Sequence, residues 1–220
     1  MADCDVRSFL GGLSARIDLA WKLRSLHHVA TGIHQLHSAG IAHQDVKPSN
    51  ILVFDRATSK VADLGSASQR GTLSPRDDRR FAGDPSYAPP ELLYGQLDPD
   101  WNNRRLGCDA YLLGSMIVFM FTGLNATSLL FSKTLPEHHP GQWKGSYTDI
   151  LPHLRDAFGM ALRTVQVRQE PGGPRRKRLI TILAGRSPDV PTEPDVKRIY
   201  ARSCGLARAA GLVTDQEADR

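Results

Sequence analysis

This sequence predicts a mainly α fold with one short β-hairpin, and three observations carry the prediction. Across residues 15–37, Leu19, Leu23, Leu26, Ala30 and Ile33 recur at steps of three and four, the spacing of an amphipathic helix laid on a core. A second apolar run, residues 111–124, contains Gly114 and Ser115 and is too short to span a bilayer, so it reads as a buried helix. Between them, the apolar residues 51–54 and the shorter 60–62 read as two strands. Residues 55–59 separate them with Asp, Thr and Ser, which favour bending over extension.

The other elements follow in chain order. A short helix is expected around residues 7–11, and Gly40 is placed to end the long helix. Residues 66–86 are rich in Ser, Gly, Pro, Arg and Asp with few apolar anchors and read as a mobile loop. A loop through Asp98, Pro99 and Asp100 leads past Trp101 to the buried helix, which starts near Cys108. Residues 129–147 show no clear period, and Pro136, Pro140 and Gly141 argue for irregular chain. Helical spacing returns at Leu151, Leu154, Phe158 and Leu162. Residues 170–178 break it with turn formers and charge, and a last helix is expected over 195–210, after Pro188, Pro191 and Pro194. No repeat recurs at a fixed period.

With 220 residues, 40% of them hydrophobic and 23% charged, the chain can bury a real core as one domain over residues 1–220. A formal charge of +5 reads first as a solvated basic surface. Cys4, Cys108 and Cys204 are odd in number and scattered, which fits a reducing cytoplasm. Asp3 and Asp5 stand where a signal peptide would need a basic region and an apolar core, so an intracellular, non-membrane protein is expected. His27, His28, His34, His37, His138, His139 and His153 lack zinc-type spacing. The basic run at residues 175–178 has no interleaved aromatic residues, so nucleic acid is not an expected partner.

The chemistry is concentrated in residues 43–50, His-Gln-Asp-Val-Lys-Pro-Ser-Asn, just before the apolar strand. Asp45, Lys47 and Asn50 can offer a proton acceptor, a cation and a neutral oxygen ligand from one tight loop. Phosphoryl transfer asks for those parts, because its catalysis is positioning plus charge neutralisation.

The segment resembles the catalytic loop of protein kinases, usually His-Arg-Asp with an Asn five positions after the Asp. Thirteen residues after Asn50, Asp63-Leu64-Gly65 resembles the Asp-Phe-Gly magnesium element. Tyr87-Ala88-Pro89-Pro90-Glu91 resembles the Ala-Pro-Glu that closes the activation segment, and Asp109 with Gly114 resembles the Asp and Gly that open the next long helix.

The resemblance implies a protein-kinase-like C-terminal lobe whose hairpin carries the catalytic and metal-binding loops. Within it, Asp45 would accept or orient the substrate hydroxyl, and Lys47, the serine/threonine-type residue, would steady the transferred phosphate. Asn50 and Asp63 would share Mg2+ with ATP. Leu64 would still plug the space behind the metal, His43 would support the loop, and Asp109 would hold its backbone or cap the helix. Glu91 would pair with Arg220. Gln44 stands where many kinases use an Arg to grip a phosphate on the activation segment, which leaves Thr72 and Ser74 weak candidates for phosphorylation. Asp84 stands where the family usually has Thr and is placed to pair with Lys47.

Residues 1–5 resemble the hinge between kinase lobes, and the chain shows neither a Gly-rich phosphate loop nor a strand Lys with its helix Glu. Three readings stay open. One is a serine/threonine protein kinase lobe acting on protein hydroxyls, with an N-terminal lobe missing or separate. Another is a non-catalytic kinase-like module that binds partner proteins. The third is a small-molecule phosphotransferase of the aminoglycoside type, against which Lys47 and the Ala-Pro-Glu-like element count.

Overall fold

The computed structural model describes residues 1–13, 19–74, 76 and 79–164. The expected loop at 170–178, the helix at 195–210, Cys204 and Arg220 lie outside the described residues.

The chain enters through β1 (Cys4–Asp5) and α1 (Val6–Leu13), where Asp5 accepts the Ser8 backbone N–H and hydroxyl at 3.0 and 2.8 Å. The long helix α2 (Leu19–Ser38) follows, and its chain reverses at Gly40, whose φ of +70° suits glycine. After β2 (Ile41–Ala42), a single turn at Pro48–Asn50 leads into β3 (Ile51–Phe54) and β4 (Thr58–Val61). β4 thus starts two residues earlier than the sequence suggests. The turn closes at once because Asp55 and Arg56 both take positive φ, so Phe54 pairs with Thr58.

β1 adds to the other edge of β3, giving an antiparallel sheet in the order β1-β3-β4. β5 (Ser68–Gln69) pairs with β2 in a second, two-stranded ribbon. Both β1 and β5 are too short to leave a periodic signal.

Beyond α3 (Pro90–Leu93), a π-helical turn over Asn102–Leu106 runs without a break into α4 (Gly107–Thr122), which Gly123 ends at φ +76°. Asn102–Thr122 is therefore one helix of 21 residues whose most apolar 18-residue window has a mean hydropathy of 1.2, enough by length and composition alone to cross a membrane. The run over 111–124 forms the C-terminal part of this helix, buried as expected, and the residues before it supply the extra length. Its placement is that of a core helix, since 67% of the window is buried inside the fold.

The main core joins Leu26, Val29, Ala30 and Ile33 of α2 to Ile51 and Val53 of β3 and to Leu112, Leu113, Met116 and Met120 of α4. Each of the Leu, Ile, Val and Met side chains among them contributes about 1.5–3 kcal/mol over exposure. α5 (Ala126–Phe131), capped by Asn125, whose side chain accepts the Ser128 N–H at 2.7 Å, runs three residues into the stretch 129–147 expected to be irregular, which beyond Phe131 is turns and a single 3-10 turn at Pro136–His138 up to the start of the next helix. α6 (Tyr147–Thr164) starts with a reciprocal cap: Ser146 N–H donates to Asp149 at 3.1 Å and Asp149 N–H to the Ser146 hydroxyl at 3.2 Å.

Candidate functional site

The loop that follows β2 is shaped by one carboxylate. Asp109, on the first turn of α4 and fully buried, accepts the backbone N–H of Gln44 on Oδ1 at 2.6 Å and that of His43 on Oδ2 at 2.7 Å. The Nε2 of His37, from the last turn of α2, lies 2.8 Å from the same Oδ2. The sequence reading placed Asp109 correctly at the loop backbone but grouped His37 with the unassigned histidines. No local spacing links residues 72 positions apart.

Gln44 holds a left-handed φ of +63°, a strained conformation for a side-chain residue. His43 lies beneath it, with Nε2 3.0 Å from the Ala62 carbonyl and Nδ1 accepting the Asp45 N–H at 3.2 Å. Those partners assign the proton to Nε2.

Asp45, Lys47 and Asn50 come together as the sequence suggests. Asn50 spends its amide hydrogens on the Asp45 carbonyl and Asp45 Oδ2, both at 2.9 Å, which leaves its Oδ1 as an acceptor. Lys47 Nζ lies 3.0 Å from Asp45 Oδ2 and 3.6 Å from Asp84 Oδ2. Asp84 also donates its backbone N–H to Asp45 Oδ1 at 3.0 Å. Burial works against ionisation of Asp84, but hydrogen bonds from Ser86 and the charge of Lys47 outweigh it and hold its carboxyl below the usual range.

Asp63 sits at the far end of the hairpin. The N–H of Ala62 donates to the Asn50 carbonyl at 2.9 Å, and Asp63 then turns left-handed at φ +63° and accepts the Gly65 N–H at 3.1 Å. Its carboxylate is exposed. Leu64 is not the expected plug: it is 54% exposed.

Among the described residues of the expected mobile loop, Ser66, Arg76 and Ala82 to Asp84 are anchored. Ser66 donates its hydroxyl to the Ala82 carbonyl at 3.1 Å, and Arg76 donates to the Ser66 oxygen at 2.6 Å and to the Ala82 carbonyl at 3.2 Å. Gly83 passes so close that a Cβ there would stand 2.3 Å from the Gln44 carbonyl oxygen and 2.8 Å from Asp45 Oδ1, a contact only glycine allows. Gln44 donates to the Ser66 carbonyl at 2.9 Å and accepts from the buried Arg105 at 2.5 Å. The amide is therefore engaged inside the protein. Thr72 and the 95% exposed Leu73 lie at the outer rim. Glu91 occupies the first turn of α3, and its expected partner Arg220 lies outside the described residues.

Asn50 Oδ1 and the Asp63 carboxylate are hard oxygens that suit a small divalent cation completed by water and phosphate oxygens. The donor chemistry therefore fits Mg2+ bound with a nucleotide.

A family model for the protein kinase domain matches residues 20–139. Among curated proteins, the chain is 28% identical over 157 residues to serine/threonine-protein kinase PTK2 of Candida glabrata, covering 63% of this chain and 20% of that protein. It is 29% identical over 152 residues to the dual serine/threonine and tyrosine protein kinase of Gallus gallus, covering 69% and 15%. To serine/threonine-protein kinase par-4 of Caenorhabditis elegans it is 42% identical over 69 residues, covering 30% and 11%. The matched stretches span a fifth or less of these relatives' lengths.

Proposed function

The chain belongs to the protein kinase family, and on that premise we propose that it takes part in ATP-dependent phosphoryl transfer to Ser/Thr hydroxyls of protein substrates. In this reading residues 1–220 form one kinase-like unit, the hinge and the C-terminal lobe. The observation that carries the proposal is the cradle around Asp45: the Asn50 amide, the Lys47 ammonium and the Asp84 N–H all lie within 3.0 Å of its carboxylate oxygens. A carboxylate gripped on both oxygens is held in one orientation, and positioning is what this reaction asks of the protein.

Asp45 orients the acceptor hydroxyl and takes its proton. Lys47 carries positive charge beside that carboxylate, where the transferred phosphate needs neutralising. Asn50 Oδ1 and Asp63 would hold Mg2+, which would screen the charge of the phosphate that ATP supplies. The scattered cysteines keep the cytoplasm as the proposed location.

A second reading, a partner-binding module without catalysis, is favoured by the Lys47–Asp84 contact at 3.6 Å, in which a carboxylate competes with phosphate for the ammonium. Calorimetric titration of the chain with ATP, with and without Mg2+, separates the two. Saturable, Mg2+-dependent binding supports the transfer reading. Phosphorylation of a protein substrate should then fall by roughly 10²-fold or more in Asp45→Asn. No nucleotide binding by the folded chain would favour the partner-binding module.

A further inference from the structure

Arg76 closes a circuit of hydrogen bonds around the loop that carries Asp45. Its Nη1 donates to Ser66 Oγ at 2.6 Å and to the Ala82 carbonyl at 3.2 Å, which uses both hydrogens of that nitrogen. Ser66 has one hydroxyl hydrogen and gives it to the same Ala82 carbonyl at 3.1 Å, so that oxygen receives one donor on each lone pair. Ser66 and Ala82 are both buried, and they lie 16 positions apart in the chain.

From this junction two arms reach Asp45. On one side the Ser66 carbonyl accepts Gln44 Nε2 at 2.9 Å, and Gln44, held at φ +63°, is the residue before Asp45. On the other side Ala82 is followed by Gly83, which passes against the Gln44 carbonyl, and then by Asp84, whose N–H donates to Asp45 Oδ1 at 3.0 Å. A displacement of Ala82 is therefore carried through a single residue to the bond that orients the carboxylate. A displacement of Ser66 is carried through the Gln44 side chain to the backbone beside it.

The relative strengths decide which contact holds the junction. The Ser66–Ala82 bond joins neutral groups, whereas both Arg76 bonds have an ionised donor, and such bonds are about twice as strong. Chain entropy pulls apart ends that are distant in sequence, and one neutral bond opposes it weakly. The backbone of Arg76 is itself fixed, since its carbonyl accepts the Arg79 N–H at 3.1 Å.

We propose that Arg76 is a positioning residue for Asp45: its guanidinium staples Ser66 to Ala82 and so keeps the Asp84 N–H and the Gln44 backbone in place on either side of the carboxylate. The cation that orders this segment comes from the segment itself. The role of Asp45 toward an acceptor hydroxyl rests on the transfer reading above, whereas the staple does not.

Arg76→Met keeps the apolar stem and removes the donors. Hydrogen exchange followed by NMR on the 220-residue chain should show the Asp84 amide exchanging roughly tenfold faster than in wild type, with the amides of α2, β3 and α4 unchanged. Arg76→Lys, whose ammonium can donate to both oxygens from one atom, should stay within about threefold of wild type. In a transfer assay on a Ser-containing peptide, Arg76→Met should lower kcat by roughly tenfold and leave KM for ATP unchanged, the pattern of a misplaced carboxylate beside an intact nucleotide site. Ser66→Ala should reproduce part of both effects, and the two substitutions combined should fall short of additive. An Asp84 amide that exchanges at the wild-type rate in Arg76→Met overturns the proposal, as does faster exchange spread evenly through α2, β3 and α4. A wild-type kcat in a variant whose Asp84 amide has lost protection also overturns it, and so does a Lys variant no better than the Met variant. Faster exchange at Asp84 in a chain that transfers no phosphate even as wild type leaves the staple standing and removes only the transfer reading.

Discussion

Replacing Asp109 by Asn tests whether one buried carboxylate fixes the loop that carries Asp45. The substitution keeps size and shape, so its effect reports hydrogen bonding alone. An Asn oxygen that keeps the His43 N–H and His37 turns its NH2 group toward the Gln44 N–H, which now donates to Oδ1 at 2.6 Å. Two donors then face each other in a site with no solvent exposure. An orphaned buried donor costs about 1–3 kcal/mol, and the remaining bonds lose their charge assistance, about 1 kcal/mol each. The total is roughly 3–5 kcal/mol, or about 6–20 °C in Tm for a chain of this size. Urea denaturation followed by circular dichroism measures it, with an unchanged slope confirming a native-state effect. His37→Ala, which removes one of the three bonds, should cost about 1–1.5 kcal/mol. A loss below about 1 kcal/mol in Asp109→Asn would refute the claim that this carboxylate holds the loop.

Gly83→Ala forces a Cβ to within 2.3 Å of the Gln44 carbonyl and should destabilise by about 2–4 kcal/mol, through overpacking and loss of the Asp84 N–H bond to Asp45; a urea midpoint equal to wild type would contradict it. Asp84→Asn removes one of the two carboxylates on Lys47. A partly exposed ion pair is worth about 0.2–1 kcal/mol, so affinity for Mg2+ and ATP should rise by up to about fivefold by calorimetry, and a fall would argue against competition at Lys47. Burial, followed by His27 and Arg24, lowers the pKa of His28 from its ordinary 6.5, and its Nδ1 accepts the Ser59 N–H at 3.2 Å as the neutral ring. Folding therefore favours the unprotonated form, so this contribution is present above pH 6.5 and is lost as pH falls through the depressed native value. His28→Gln should flatten that part of the stability profile, and an unchanged slope would count against the assignment.

The site was legible where function compresses residues into one loop. Asp45, Lys47 and Asn50 occupy six positions, and a single turn brings their side chains together almost regardless of the rest of the fold. Asp84 was placed against Lys47 by the resemblance to the kinase family, and the 3.6 Å contact agrees. Long-range closure was not legible. His37 reaches Asp109 across 72 positions, Arg105 reaches Gln44 across 61, and Ile41–Ala42 with Ser68–Gln69 is a ribbon of two-residue strands. None of these leaves a periodic trace, because each depends on tertiary packing that brings distant chain together. Leu64 shows the opposite error: residue type suggested a plug, but the side chain is 54% exposed, and type alone carries no information on exposure. The helix Ala126–Phe131 was missed because six residues are less than two turns, and its stability comes from Asn125 and packing rather than from a long apolar stripe.

The π turn over Asn102–Leu106 holds one residue more than an α turn would. Because an α-helix advances about 100° per residue, deleting a single residue here would let the helix continue regularly. The residues just before it, with Trp101, would swing by roughly that angle, while the packing of α4 on the rest of the core stayed as it is. Arg105 would leave Gln44, and Trp101 would leave Arg70, yet Asp109 would still hold His43 and Gln44. At this point a change in length acts as a rotation: it would separate Trp101 from Arg70 and Arg105 from Gln44 in one step.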